Sequence, residues 1–121
     1  MKILGRTQPL AHYEIDECLA VIHQLGFEGV EICLENDDIV PERLDWERAA
    51  RIYDRVKVLG LRPHSVSYHK DYVYDDAMFE QTKRAIELSR ALGTHIFVFS
   101  GTRRKGEDEA AAWRRMIKRT K

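Results

Sequence analysis

The chain has 121 residues, of which 44% are hydrophobic, enough for one globular domain over residues 1–121 and too few for two ordinary domains. Its 20 Lys or Arg residues balance its 20 Asp or Glu residues, so no net charge draws it to nucleic acid or to an anionic membrane. Every apolar run is too short to span a bilayer, and Arg6 interrupts the first run before a secretory signal can form. We therefore expect a soluble cytoplasmic protein.

Strand-like and helix-like segments alternate four times along the chain. The segments with strand character are rich in β-branched and apolar residues, and those with helical character carry apolar residues at i, i+3 and i+7. The predicted strands cover about residues 2–6, 29–34, 61–68 and 95–99, and the predicted helices about 15–25, 46–59, 78–92 and 107–118.

The apolar stripes predict which helix residues are buried. They comprise Ile15, Cys18 or Leu19, Ile22 and Leu25; Trp46, Ala49, Ile52 or Tyr53, Val56 and Leu59; Met78 or Phe79, Thr82, Ile86, Ser89 and Leu92; and finally Trp113 with Ile117. Asp45 and either Asp75 or Asp76 are suited to cap the second and third helices. Cys18 and Cys33 fall within buried segments, which predicts free thiols in a reducing compartment.

A leucine–glycine pair closes each of the first three helices. Gly26, Gly60 and Gly93 follow one another at intervals of 34 and 33 residues. A glycine directly after a helix can adopt the left-handed conformation that ends it. The repeat therefore indicates one strand–helix unit per interval.

Alternating units of this length build a parallel sheet covered by helices, either as a small open α/β sheet or as part of a barrel. Residues 6–10 lack the glycine-rich phosphate-binding turn that a dinucleotide-binding sheet has after its first strand. A complete eight-unit barrel takes roughly 250 residues. The predicted fold is therefore α/β, a (β/α)4 half of a TIM-type parallel barrel.

Polar side chains gather where the predicted strands end, which is the rim that holds active sites in such barrels. Glu31 lies between Val30 and Ile32, and because a buried unpaired carboxylate is costly, it must face a cavity, a cation or solvent. Arg6, at the end of the first strand, is the natural cation for it. Arg6 is equally suited to binding a substrate anion.

Three further residues complete the predicted substrate-binding set. His64 lies in an apolar strand and is either a core histidine or a substrate contact, whereas His69 is nearer the loop and could donate a hydrogen bond or bind a metal. Ser100 precedes Gly101 at a turn that could offer N–H groups to an anion. The acidic run at residues 35–38 is most simply a solvated loop.

Local metal-ligand spacings and nucleophile elbows are both absent from the sequence, so neither a metal site nor a catalytic residue is assigned within it. The basic stretches at residues 103–105 and 114–121 are short, and we interpret them as a solvated face and not as a nucleic-acid footprint.

Three segments resemble the xylose isomerase-like TIM barrel superfamily, which includes sugar and sugar-phosphate isomerases and epimerases and abasic-site endonucleases. They are residues 26–32 (GFEGVEI), residues 59–65 (LGLRPHS) and residues 97–101 (FVFSG). By this resemblance, His64 matches the strand-3 histidine that binds metal in the nuclease branch, and Glu31 matches the common strand-2 glutamate. Ser100 stands where the nuclease branch has a second histidine ligand, which favours the sugar branch.

The resemblance implies proton or hydride transfer next to a sugar carbonyl, assisted by a divalent metal such as manganese, magnesium, cobalt or zinc. It also implies that the metal ligands lie on later strands than these four, so we expect this chain to hold no metal and to be inactive alone.

Two accounts remain open: an N-terminal half of a longer enzyme, whose C-terminal half is missing here, or a half-barrel that pairs with itself as a homodimeric binding or scaffold module. The expected ligand is a small sugar or sugar phosphate.

Overall fold

Four strands and four helices alternate along residues 3–121, the part of the chain that our computed structural model describes. The elements are β1 (Leu4–Arg6), α1 (Ile15–Gln24), β2 (Gly29–Cys33), α2 (Trp46–Val58), β3 (Arg62–Ser67), α3 (Asp76–Ala91), β4 (Phe97–Val98) and α4 (Glu109–Thr120), with a 3₁₀ turn at Gln8–Leu10. The start of the first predicted strand, at Lys2, lies outside the described residues.

The four strands form one parallel sheet in the order β1-β2-β3-β4. Each strand is hydrogen-bonded to the next strand in the sequence, and the helices provide the crossovers. This is the predicted (β/α)4 half of a TIM-type barrel. Within residues 3–121, no helix is both long and apolar enough to cross a membrane.

The helix ends follow the signals predicted from the sequence. The side chains of Asp45 and Asp75 each accept the backbone N–H group three residues later, capping α2 and α3. Gly26, Gly60 and Gly93 have φ values of 80°, 70° and 84°, the left-handed conformation that ends a helix. The 33–34-residue repeat therefore corresponds to one β/α unit.

The hydrophobic core lies between the sheet and its helices. Val30, Ile32 and Val66 project from the strands into a fully buried cluster with Leu19 of α1 and Val56 of α2. Alternate residues of a strand point to opposite faces, so the residues between these belong to the other face of the sheet. That other face would line the interior of a closed barrel, and we call it the inner face.

Some predictions of strand length and burial were wrong. β4 has two residues instead of five, because it is an outer strand that pairs only with β3 among the described residues. Four residues predicted to be buried are exposed: Leu25 at 70%, Trp113 at 59%, Trp46 at 53% and Ile86 at 45%. Leu25 follows the last residue of α1, and each of the others lies to one side of the helix face that meets the sheet or a neighbouring helix. On α3, the buried positions are instead Thr82, Ala85, Leu88 and Ser89.

Candidate functional site

Polar residues from three strands share the inner face of the sheet. In the register of the strands, Arg6 lies beside Glu31, Glu31 beside Ser65, and Cys33 beside Ser67. Residues in register on neighbouring strands point to the same side. The helices cover the opposite side, so this polar row faces the barrel interior near the carboxyl ends of the strands.

Four of the five predicted site residues form one continuous hydrogen-bonded chain on this face. Arg6 Nε lies 2.7 Å from Glu31 Oε1, and the Ser65 hydroxyl donates to Glu31 Oε2 at 2.8 Å. Arg6 Nη2 donates to His69 Nε2 at 3.2 Å, and His69 Nδ1 lies 2.7 Å from Ser100 Oγ. The chain links all four strand ends, which the sequence separates by up to 94 residues.

Arg6 determines the tautomer of His69. A guanidinium group has only donors, so His69 Nε2 must accept from Arg6 and carries no proton. In the neutral ring the proton is then on Nδ1, which donates to Ser100 Oγ. A histidine that donates to a serine cannot take its proton, so this pair is not arranged as a Ser–His nucleophile. The contact positions the serine hydroxyl instead.

The Arg6–Glu31 pair remains open to solvent. The Arg6 side chain is 40% exposed and that of Glu31 is 21% exposed, so neither charge is fully desolvated. The Glu31 carboxylate, predicted to face a cavity, a cation or solvent, has both oxygens engaged, one by Arg6 and one by Ser65. The Arg6 guanidinium is therefore held in a fixed orientation, with part of its surface facing solvent. A guanidinium group held in this way can donate hydrogen bonds to the oxygens of a carboxylate or a phosphate.

A second carboxylate supports the network from the loop after β2. Glu35 Oε1 accepts the backbone N–H of His69 at 2.7 Å, and Glu35 Oε2 accepts the Cys33 S–H at 2.8 Å. Burial, and secondarily this donation to Glu35, raises the pKa of the Cys33 thiol. The thiol is therefore a protonated, structural group at neutral pH.

The acidic run at residues 35–38 is not the solvated loop that was expected. Asn36 is completely buried; its amide donates to the Thr7 carbonyl, and the Thr7 hydroxyl lies 3.4 Å from its side-chain oxygen. Asp38 caps the first backbone N–H of α1 and pairs with Arg48 at 3.0 Å. Of this run, only Asp37 is exposed. The loop therefore connects the end of β2 to the end of β1 and to the start of α1 through hydrogen bonds.

His64 does not join the network. The register of β3 shifts between Pro63 and Ser65, so that His64 is the extra residue of a bulge. Its carbonyl accepts a hydrogen bond from the Thr94 hydroxyl at 2.8 Å, and its half-buried imidazole makes none with the described residues. Its assignment to substrate binding stays a prediction.

Ser65 takes the place beside Glu31 and was not among the predicted site residues. Strict alternation from Pro63 would have placed His64 opposite Glu31, and no residue pattern reveals a bulge at this point. Glu35 was assigned to a solvated loop, because its contacts with Cys33 and His69 depend on the path of that loop.

The residues of this face do not fit a divalent metal by themselves. Both oxygens of Glu31 and of Glu35 and both ring nitrogens of His69 already have protein partners. Among residues 3–121, no three His, Cys, Asp or Glu side chains converge on a point where an ion could bind. These side chains are therefore engaged with one another and would have to give up hydrogen bonds to coordinate an ion.

Comparison with protein families gives one match. The family model described as xylose isomerase-like TIM barrel matches residues 19–121, which include β2 to β4, α2 to α4 and every predicted site residue except Arg6. A search of curated proteins found no match to the chain.

Proposed function

This chain belongs to the xylose isomerase-like TIM barrel family, and on that premise we propose that its inner face binds a sugar or sugar phosphate as half of the rim of a sugar isomerase or epimerase. The observation that supports the proposal best is the hydrogen-bonded chain from Ser100 through His69 and Arg6 to Glu31. It joins all four strand ends on the side where barrels of this kind hold their substrates.

The chemistry of the network suits a polyhydroxylated ligand. Each sugar hydroxyl both donates and accepts, so its site needs both kinds of partner in a fixed arrangement. Arg6 supplies donors, Glu31 supplies acceptor lone pairs, and the Ser100 hydroxyl supplies either. Because these groups already orient one another, binding would order few additional side chains.

Arg6 has the leading role in this proposal. Its solvent-facing N–H groups would bind the carbonyl oxygen of an open-chain sugar, or a phosphate oxygen if the substrate is phosphorylated. Glu31, engaged on both oxygens, would hold that guanidinium in place, while neutral His69 would hold the Ser100 hydroxyl. None of these groups is free to remove a proton from carbon, so the acid–base groups would come from elsewhere in a complete site.

The divalent metal that the resemblance implies, whether manganese, magnesium, cobalt or zinc, would polarise the sugar carbonyl in a complete site. The proposal places its ligands outside this chain. The proposed role of this chain is therefore to bind and orient the sugar.

Titration of the 121-residue chain with a panel of aldoses, ketoses and their phosphates, followed by calorimetry or NMR shifts, tests the proposal. We expect at least one ligand to bind and Arg6→Gln to weaken it about tenfold, the loss of one charged hydrogen bond. Arg62→Gln is the matched control, since Arg62 is exposed at the opposite end of β3. Failure of every sugar to bind, or equal effects of the two variants, would reject the sugar-binding role.

A further inference from the structure

The loops that follow β3 and β4 lie side by side at the carboxyl ends of these strands. They cover residues 68–75 and 99–108. The last backbone hydrogen bond between the two is donated by Tyr68 to the carbonyl of Val98, at 3.1 Å. Among the described residues, none from 99 to 103 forms a hydrogen bond between backbone groups. Beyond Val98, the second loop is therefore held to the first by side chains.

Side-chain contacts follow one another in the same order along both loops. His69 Nδ1 lies 2.7 Å from Ser100 Oγ, which is the end of the network on the inner face. Two residues further along each loop, the Thr102 hydroxyl donates to the Asp71 carboxylate at 3.2 Å. The series ends at Tyr74, shortly before α3 begins. The candidate site is thus connected to Tyr74 by contacts along both loops.

Tyr74 contacts three charged side chains of the second loop and α4. Its hydroxyl donates to the Glu107 carboxylate, and this hydrogen bond lowers the pKa of the Glu107 carboxyl, which is therefore ionised at neutral pH. The guanidinium carbons of Arg104 and Arg115 lie 4.5 and 5.2 Å from the centre of the Tyr74 ring, within the range of a cation–π interaction. Arg115 Nη2 also lies 3.5 Å from Glu107 Oε1. We call these four residues the Tyr74 cluster.

No residue from 100 to 106, the segment between these two ends, belongs to the hydrophobic core. Phe99, directly before the segment, packs against the rings of Tyr72 and Phe97, whose centres are 5.3 and 5.9 Å away. The contacts described above between the segment and the first loop are hydrogen bonds and a cation–π contact. Water replaces such contacts at small net cost, so a segment of this kind is among the parts of a fold that open most easily.

We propose that residues 100–107 open and close as one segment and that the Tyr74 cluster holds the closed state. In the closed state, which this structure shows, Ser100 reaches His69 and the inner-face network is complete. In the open state the Ser100 hydroxyl leaves the network, while the ion pair between β1 and β2 stays in place. The segment therefore controls how many partners the site offers to a ligand.

Ligand binding and closure of the segment are coupled in this arrangement. A ligand that forms a hydrogen bond with the Ser100 hydroxyl binds the closed state more tightly and so increases its population. This step rests on the proposed sugar site, because the sugar is the ligand that would make the contact. The opening of the segment and its control by Tyr74 depend only on the contacts between the two loops.

Limited proteolysis with trypsin measures the opening, because Arg103, Arg104 and Lys105 all lie in the segment. When opening and closing are fast relative to cleavage, the cleavage rate is proportional to the open population. Tyr74→Phe keeps the ring but removes the hydrogen bond to Glu107, and it should raise the cleavage rate about tenfold. Glu107→Ala removes the same hydrogen bond from the other side, so the double variant should be cleaved little faster than the faster single variant.

Tyr72→Phe is the matched control, since it makes the same change on the same loop. The Tyr72 hydroxyl is buried and has no hydrogen-bond partner among the described residues. Its removal should therefore leave the cleavage rate within about twofold of that of the unmodified chain. The inference would be overturned by equal rates for Tyr74→Phe and the unmodified chain, by an equal increase in Tyr72→Phe, or by a first cut outside residues 103–105.

A sugar that binds in the titration described above should slow cleavage of the unmodified chain in proportion to the occupancy of the site. Binding without slower cleavage would overturn the coupling between the segment and the site. If no sugar binds, the proposed function fails, and the cleavage rates of the variants still decide whether the Tyr74 cluster controls the segment.

Discussion

Ser65 and Ser67 provide a matched test of the inner-face network. Both lie on β3, both point to the inner face, and both are almost completely buried, at 3% and 0% exposure. The Ser65 hydroxyl donates to the Glu31 carboxylate at 2.8 Å, whereas the Ser67 hydroxyl makes no hydrogen bond of ordinary geometry and lies near the weakly accepting Cys33 sulfur. Replacing each by alanine therefore separates the charged hydrogen bond from every other effect of the substitution.

Hydrogen bonds to charged groups contribute about 1.5–3 kcal/mol to stability. Because Glu31 is 21% exposed, water can replace part of the lost bond, and we expect Ser65→Ala to lower the free energy of unfolding by about 1.5 kcal/mol. Ser67→Ala should lower it by less than about 0.5 kcal/mol, since a buried hydroxyl without a partner is itself a cost.

Urea unfolding followed by tryptophan fluorescence at one fixed protein concentration measures both values. With a slope of about 1.5 kcal/mol per molar urea, Ser65→Ala should move the midpoint by about 1 M, and Ser67→Ala by less than half as much. Fixed concentration matters because association would add to apparent stability. Equal losses, or a larger loss for Ser67→Ala, would refute the assignment of Ser65 as the support of Glu31.

Other properties of the fold give further expectations. Burial raises the pKa values of both cysteines, so at pH 8 they should react with iodoacetamide far more slowly in the folded chain than in urea; equal rates would contradict their burial. Burial also raises the pKa of Tyr68 to about 12 from 10, so the folded chain holds this proton longer and loses stability between pH 10 and 12, a loss that Tyr68→Phe should reduce. Gly93→Ala should lower the free energy of unfolding, measured with urea, by about 2 kcal/mol more than Gly60→Ala. Both glycines have positive φ, but only at Gly93 would the new methyl group overlap a side chain, the Tyr53 ring. The purified chain should show no ketose–aldose conversion when manganese, magnesium, cobalt or zinc is added, and detectable turnover would show that its own residues complete a site.

Periodicity alone predicted the order and number of the elements. Helical stripes, aspartate caps and closing glycines are local signals, and the structure follows them at Asp45, Asp75 and all three leucine–glycine pairs. The burial of residues at the sides of an apolar helix face was less predictable. Trp46 and Ile86 are apolar, but whether a residue at the side of a helix is covered depends on its neighbours in space, which the sequence does not give.

The candidate site was predictable to the extent that alternation determines it. Glu31 stands between two apolar strand residues and so must face away from the core, and Arg6 was the nearest cation. The link from Arg6 through His69 to Ser100 required the ends of three strands to converge, which parallel topology implies but residue spacing cannot specify.

Because of the bulge, β3 has one residue more than the segment of β2 with which it pairs. Deleting His64 would make Pro63 and Ser65 adjacent, and both already stand in register with consecutive residues of β2. Each later residue of β3 would keep its present partner on β2, so that Ser65 and Ser67 still point to the inner face and Val66 still points into the core. Deleting Val66 instead would invert the remainder of the strand. A gene that lost the codon for residue 64 should therefore still encode a folded half-barrel with its serine beside Glu31, at the cost of the hydrogen bond that the Thr94 hydroxyl donates to the His64 carbonyl.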